Sequence, residues 1–305
     1  MLIPYKRVVL LGCTGFLGKA IHRVFESQRL VVRGYGSAEL DLRRFEMLRL
    51  LDGQIDGDTV LIVASALTPD KGTTLEALQD NLLMSLNVGR YLEAHAPGLC
   101  VYIGSDAVYP LRANPVTEDS PVDPANLYGL AKYCGERILA RQAEMRSSPL
   151  LVVRLAPLYG WGDTHMSYGP NQFMRSILKD GTVRLFGQGE EQRDHLYIED
   201  GARLILELIR VEATGIINLA TGQSYSFKEV IDTLRRTVPV PLTVISVPRK
   251  VPVTHRHFDI TRLFLATPGF RFTPLEEGLR AYYAAACKVP AVGDPIVSKQ
   301  DGPRD

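Results

Sequence analysis

Nothing in this sequence calls for a disulfide framework, a metal cluster or a bilayer. Its four cysteines, Cys13, Cys100, Cys134 and Cys287, are scattered without a Cys-x-x-Cys pair, and no secretory segment opens the chain. Reduced thiols in a cytoplasm are therefore expected, and a metal centre is not. No apolar run reaches the roughly 18 residues of a membrane span, and no internal repeat is visible. Charge of neither sign is in excess: 35 Lys and Arg against 34 Asp and Glu leave a formal net charge of +1. Nucleic acid and acidic membrane surfaces are thus not expected as partners, and recognition must be local. What the chain has in ordinary measure is apolar material, 46% of 305 residues, enough for a main lobe and a second one.

The clearest feature is Val8 to Gly18, a short apolar run followed by Gly12, Gly15 and Gly18 at three-residue spacing. This pattern predicts a buried strand that turns sharply into a helix. Gly12 permits the turn, Gly15 lets backbone approach a pyrophosphate, and Gly18 lets the helix pack closely on the strand. Gly12, Thr14, Gly15, Phe16, Leu17 and Gly18 are accordingly candidate cofactor-binding residues. Apolar positions from Phe16 to Ser27 have helical spacing, and Leu30 to Val32 is expected as the second strand. Where a dinucleotide fold often places an acid for the adenosine ribose, the sequence has Arg33-Gly34-Tyr35. A guanidinium there could take a 2′-phosphate and favour NADP over NAD; it could equally be a solvated charge. Leu40-Asp41-Leu42 follows, with Asp41 and Leu42 as further cofactor candidates. Thr59 to Ala66 is an apolar strand whose small end, Ala64 and Ala66, leaves room for a flat ring.

Helical segments over Thr73 to Ala96 and Asn126 to Ala143 alternate with strands over Leu99 to Gly104 and Leu150 to Leu155. This order predicts an α/β fold, a doubly wound parallel sheet of the Rossmann type. From Gly160 the composition changes to Gly, Pro, Asp and Asn, followed by a helix over Gln172 to Lys179 and shorter elements, which marks a smaller C-terminal α/β substrate lobe. The expected division is 1–159 for the cofactor domain, with returning segments near 195–222 and 243–262. The substrate lobe is then 160–194 with 223–290, and 291–305 a loose tail.

Tyr128 and Lys132 lie four residues apart on one predicted helix, so both side chains leave the same face. A nearby ammonium would lower the phenol's pKa toward neutrality and suit it to exchange a proton with a substrate hydroxyl during hydride transfer. Many Tyr-x-x-x-Lys pairs are no more than the two sides of an amphipathic helix. Here Ser105, at the end of an apolar strand, could hold the same substrate oxygen.

Taken together these stretches resemble the extended short-chain dehydrogenase/reductases, and among them the enzymes that act on nucleotide-activated sugars. The resemblance runs through Gly12 to Gly18, Gly104-Ser-Asp-Ala-Val-Tyr-Pro110, Tyr128 to Lys132, Arg154 to Gly160, Gly187 to Asp200, Gly215 to Gly222 and Phe258-Asp-Ile-Thr261. It implies Ser105, Tyr128 and Lys132 as the catalytic trio, Asn81 as the family's structural asparagine and Asp106 as a possible catalytic helper. It also implies Arg193, and more weakly Arg256, as arginines for the substrate diphosphate. His165, in the Gly-rich loop, and Asn171 complete the substrate-binding candidates. His255 and His257 flank Arg256 without any metal spacing. A homodimer is implied as well, built on the two long helices.

The departures narrow the chemistry. Relatives that eliminate water carry a glutamate where this chain has Ala107, and those that epimerise beside a ketone carry a cysteine there. A methyl group can do neither job, so a 4,6-dehydratase is not expected. Pro157 also stands where many relatives have an asparagine. The expectation is hydride transfer at C4 of a nucleotide-linked sugar with NADP or NAD, as a 4-ketoreductase or a 4-epimerase. The alternative is a non-catalytic NAD(P)-binding regulatory relative.

Overall fold

The computed structural model describes residues 3–165 and 167–288. Its frame is a six-stranded, all-parallel sheet made of β1 (Arg7–Leu11), β2 (Val32–Tyr35), β3 (Thr59–Val63), β4 (Leu99–Ser105), β5 (Leu150–Leu155) and β10 (Gly215–Leu219). The order across it is β10-β5-β4-β3-β1-β2, so the chain reverses direction of growth between β1 and β3, and the doubly wound expectation holds. β3 is buried at every position, as a strand covered on both faces must be. On one face α1 (Phe16–Ser27) packs with α5 (Ile198–Arg210). On the other lie α2 (Leu75–Leu92), α3 (Leu127–Arg146) and a 3-10 turn over Phe45–Leu51. Phe25, fully buried from α1, contributes on the order of 1.5–3 kcal/mol through its transfer from water.

The second strand begins later than the apolar run Leu30 to Val32 predicts. Arg29 takes a left-handed conformation (φ 58°) and the Leu30 amide donates to the Phe25 carbonyl at 3.2 Å. This closes α1 with a Schellman-type cap that consumes residues 28–31. Extended chain therefore starts at Val32 and ends at Tyr35, opposite Leu11.

The second lobe has its own core, around α4 (Pro170–Asp180), α6 (Phe227–Thr237) and α8 (Leu275–Lys288). β7 (Thr182–Phe186) lies on it, paired in parallel with β12 (Thr243–Val247). This corrects one boundary. Residues 243–247, expected to return to the cofactor domain, stay in the second lobe, because their mostly exposed side chains suit a two-stranded edge and not a sheet covered on both faces. Chain does come back further on, where Phe258 bridges Val116 and α7 (Thr261–Ala266) meets β10. Two short pairings lie between the lobes. β6 (Leu158–Tyr159) runs beside β9 (Leu196–Tyr197), and β8 (Gln192–Asp194) beside β11 (Ser224–Ser226). The tail expected over 291–305 lies outside the described residues. No helix among the described residues is long and apolar enough to cross a membrane.

Candidate active site

The glycine turn after β1 is shaped for a dinucleotide. Gly12 has φ +91°, and a Cβ on Gly18 would stand 2.0 Å from the Gly12 carbonyl oxygen, so neither position admits a side chain. The first residue of α1 follows Gly15, whose own amide donates to the Gly12 carbonyl at 3.1 Å, and no side chain caps the helix, which leaves Thr14, Phe16 and Leu17 to present amides toward an anion. Facing this turn is the end of β3, where a Cβ on Gly12 would meet the Ser65 amide nitrogen at 2.8 Å, with Ala64 and Ala66 on either side. Asn81 holds the chain that follows, its Nδ2 donating to the Leu67 carbonyl (3.0 Å) and its Oδ1 accepting the Leu67 amide (2.8 Å). A narrow glycine cradle, uncapped amides and a small-residue strand end together fit an NAD(P) molecule.

Arg33 is not at the strand end. It pairs with Val9 in mid-strand, its side chain is 64% exposed, and its guanidinium lies 5.4 Å from the Tyr35 ring and 3.8 Å from Glu39. The capped α1 turn displaces it. The residue that leaves β2 beside the glycine loop is Gly36, where a Cβ would meet the Thr14 Cγ2 at 2.7 Å. Neither Gly36 nor Ser37 is an acid; the nearest one, Glu39, follows in the same turn, lies 3.8 Å from Arg33 and acts by its charge on Cys13. Asp41 is clasped by Arg43 at 2.8 Å, whose hydrogen bonds hold its carboxyl below the usual range. Leu42 is buried, with its carbonyl accepting from Asn87.

At the far end of the cradle Ser105 closes β4, and its Oγ accepts the Ala107 amide at 3.1 Å. Asn126 caps α3 by accepting the Gly129 amide at 2.8 Å. A Cβ on Gly129 would lie 2.2 Å from the Ala107 carbonyl, so the helix start sits directly on the loop after β4. This contact brings Tyr128 to Ser105. Lys132 follows one turn on, 3% exposed, with its ammonium 4.4 Å above the Tyr102 ring.

The expected lowering of the tyrosine pKa is not found. Burial pushes Tyr128 up to about 12, the Asp106 charge adds to this, and the hydrogen bond with Ser105 pulls the other way. Lys132 is lowered to about 8, by burial first, with Glu136 opposing. Withdrawal from water penalises both charged forms, and the ammonium faces a ring instead of the phenol. Asp106 is itself raised by burial, against Arg256 and Arg193.

Arg193, whose charge reaches Asp106, belongs to a cavity of about 530 Å³ walled by Tyr168, Phe186, Phe227 and Val247, with Arg249 beside it on the polar side. Arg193 hydrogen-bonds Glu191 and Thr254, and Arg249 hydrogen-bonds the second oxygen of the same Glu191. Two guanidiniums thus share one carboxylate, and the Nε of Arg249 is buried without a hydrogen-bond partner. The pair suits a diphosphate, which accepts from two forks. Arg249 was missed in the sequence because the segment carrying it, just after β12, reads as part of the other lobe; the run Pro248-Arg249-Lys250 was the available signal.

Two expected substrate residues are otherwise engaged. Arg256, 6% exposed, donates to the carbonyls of Asp106 (3.1 Å) and Pro110 (3.0 Å), so it shapes the loop after β4 and is not free for a diphosphate. Asn171, 1% exposed, accepts the Gly160 amide (3.1 Å) and donates to the Leu158 carbonyl (2.9 Å), fixing the Gly-rich loop from within. His165 crosses from that loop to Asp70 at 3.0 Å. His257 hydrogen-bonds Asn114 and Gln192, and His255 accepts the Gln192 amide. Among the described residues no group of three or more His, Cys, Asp or Glu is placed to hold a metal ion.

Residues 8–220 match the family described as the NAD dependent epimerase/dehydratase family. The chain is 29% identical over 211 residues to an ADP-L-glycero-D-manno-heptose-6-epimerase of Alkalilimnicola ehrlichii, covering 63% of this chain and 64% of that protein. It is 31% identical over 171 residues to methionine adenosyltransferase 2 subunit beta of Xenopus tropicalis, covering 52% and 48%. The chain thus spans less than two thirds of the length of these curated relatives. In fold it is similar to RMD from Pseudomonas aeruginosa complexed with NADPH (TM-score 0.80, 22% identity, 91% of this chain and 98% of that one). It is also similar to UDP-glucuronic acid 4-epimerase from Bacillus cereus, solved with UDP-glucuronic acid and NAD (TM-score 0.77, 18% identity, 92% and 99%).

Proposed function

Since the chain belongs to the NAD dependent epimerase/dehydratase family, we propose that it transfers hydride at C4 of a nucleotide-activated sugar, as a 4-ketoreductase or a 4-epimerase. The observation that carries this reading is the meeting of Tyr128 with Ser105, one helical turn before the buried Lys132, with Asp106, the residue after Ser105, in electrostatic reach of Arg193 from the double-arginine cavity. Hydride chemistry is what a bound nicotinamide supplies. The chain's own part is to place the sugar oxygen against the Ser105 and Tyr128 hydroxyls and to move a proton at the Tyr128 oxygen, while Arg193 and Arg249 hold the diphosphate. Ala107 offers no group to abstract a carbon-bound proton, which weighs against dehydration. NADP is the preferred cofactor in this reading, because Gly36 and Ser37 at the end of β2 place no carboxylate against a 2′-phosphate.

Tyr128→Phe tests the mechanism. It should keep cofactor binding and lower turnover of nucleotide-4-keto sugars or their epimers by roughly two or more orders of magnitude, and near-normal turnover would sink the assignment. A two-fold homodimer through α2 and α3, whose Leu86 and Leu130 are exposed, belongs to the same proposal; sedimentation at micromolar concentration checks it.

A second reading is supported by the likeness to a protein named as a subunit of another enzyme. In it the chain binds NAD(P) and regulates a partner without turnover. Absence of turnover across nucleotide sugars, together with a co-purifying enzyme whose activity changes, would favour it.

A further inference from the structure

Lys132 presents an unusual balance of charge. It is 3% exposed, it makes no ion pair among the described residues, and the carboxylate one turn further along α3, Glu136, is already held by Arg154 from β5 at 2.7, 3.1 and 3.2 Å. A buried ammonium without a counter-ion needs another source of compensation. The group that supplies it is Tyr102 on β4, whose ring centroid lies 4.4 Å from the ammonium. The ring is fixed on its far side, where its hydroxyl donates to the backbone carbonyl of Lys132 itself at 3.4 Å. A Cβ on Gly135 would stand 2.1 Å from that hydroxyl, so α3 carries a glycine where the phenol enters, and Ser85 of α2 lies beside it.

We propose that Tyr102 is a positioning residue for the proton-transfer machinery, its ring face holding the Lys132 ammonium in the orientation from which it serves Tyr128. This rests on the reading that Tyr128 and Lys132 perform the proton transfer. A ring face suits the task better than a carboxylate would. It attracts the cation along one direction and leaves all three N–H donors free of a strong acceptor, so the ammonium can turn to hydroxyls that come within reach. The charged and titratable groups packed around Lys132 are Tyr102 on β4 and Glu136 on its own helix, with Arg154 of β5 behind Glu136 and Tyr128 one turn earlier on α3.

The test reads the lysine directly. With lysines labelled by carbon-13 at Cε, the signal lost in Lys132→Met identifies Lys132, and its titration is followed from roughly pH 6 to 10. Tyr102→Phe keeps the ring and should leave the midpoint within about 0.3 units of wild type. Trifluorophenylalanine at position 102 keeps the shape but drains the ring of the charge that attracts a cation, and should lower the midpoint by about half a unit or more; Tyr102→Leu should lower it by about one. An equal midpoint for the phenylalanine and trifluorophenylalanine proteins would overturn the proposal, and that comparison stands even if Tyr102→Leu does not fold. The titration needs no turnover. Normal turnover in Tyr128→Phe would therefore remove the functional reading alone, whereas a fluorine-insensitive Lys132 beside an inactive Tyr128→Phe would remove only the role of Tyr102.

Discussion

Replacing Glu136 with glutamine should destabilise the protein by about 3–5 kcal/mol, the scale of a buried charge left without its partner. Glu136 and Arg154 each keep 3% of their side-chain surface exposed and meet at 2.7 Å between α3 and β5. The other guanidinium nitrogen of Arg154 donates to the Tyr109 hydroxyl at 3.0 Å, and that hydroxyl donates to Asn218 at 2.8 Å. Glutamine fits the same volume, but removes the negative charge and turns an amide N–H₂ toward a guanidinium that cannot accept it. The space is tight, since a Cβ on Gly104 would already lie 2.9 Å from Glu136 Oε1, so the amide cannot swing away. At about 2.1 cal/mol/K of unfolding entropy per residue, a chain of 305 residues loses roughly 5–8 °C of Tm if it unfolds as one unit. Scanning fluorimetry and urea unfolding measure this. Because Glu136 also opposes the effect of burial on Lys132, the lysine midpoint should fall below about 8 in the same variant. The double variant Glu136→Met with Arg154→Met should recover much of the lost stability, since an apolar pair leaves no orphaned charge. A Tm within about 2 °C of wild type for Glu136→Gln would refute the reasoning.

Arg249→Ala should weaken binding of nucleoside diphosphates by roughly ten- to a hundredfold, the loss of one charge-assisted fork. Calorimetry measures it, and unchanged affinity would return Arg249 to a purely structural role. His195, 7% exposed beside Phe227, is lowered to about 3 by burial, so it folds neutral. The stability this gives is present above its unfolded value of 6.5 and is lost as the pH falls toward about 3, by up to about 1.4 kcal/mol per unit. Melting curves at neutral and acid pH should therefore show a smaller acid loss in His195→Phe than in wild type; parallel losses would contradict this. Fluorescence titration should show NADPH binding more tightly than NADH, and Arg33→Ala should leave that preference unchanged because Arg33 lies in mid-strand. Equal affinities in the wild type would count against the NADP reading.

The parts of this protein that were legible in its amino-acid sequence are those governed by short-range spacing. Three glycines three residues apart dictate a strand, a turn and a helix, and the two outer ones, Gly12 and Gly18, have no room for a Cβ. Apolar runs that alternate with helical periodicity dictate a parallel sheet with helices on both faces, and a four-residue step puts Tyr128 and Lys132 on one helix face. Tertiary structure alone decided where each charge went. Arg33 slides to mid-strand because a left-handed Arg29 closes α1 late. Arg256 and Asn171 are consumed by backbone groups of distant loops, and Arg249 reaches the cavity because β12 pairs with β7 and not with the central sheet. Lys132 faces Tyr102, thirty residues away along the chain, while its neighbour Glu136 is claimed by Arg154. The physical reason is common to all of these. Conformation follows local sterics, whereas the partner of a buried polar group is chosen by which segments the fold brings within about 3 Å, and the spacing of residues along the chain does not contain that choice.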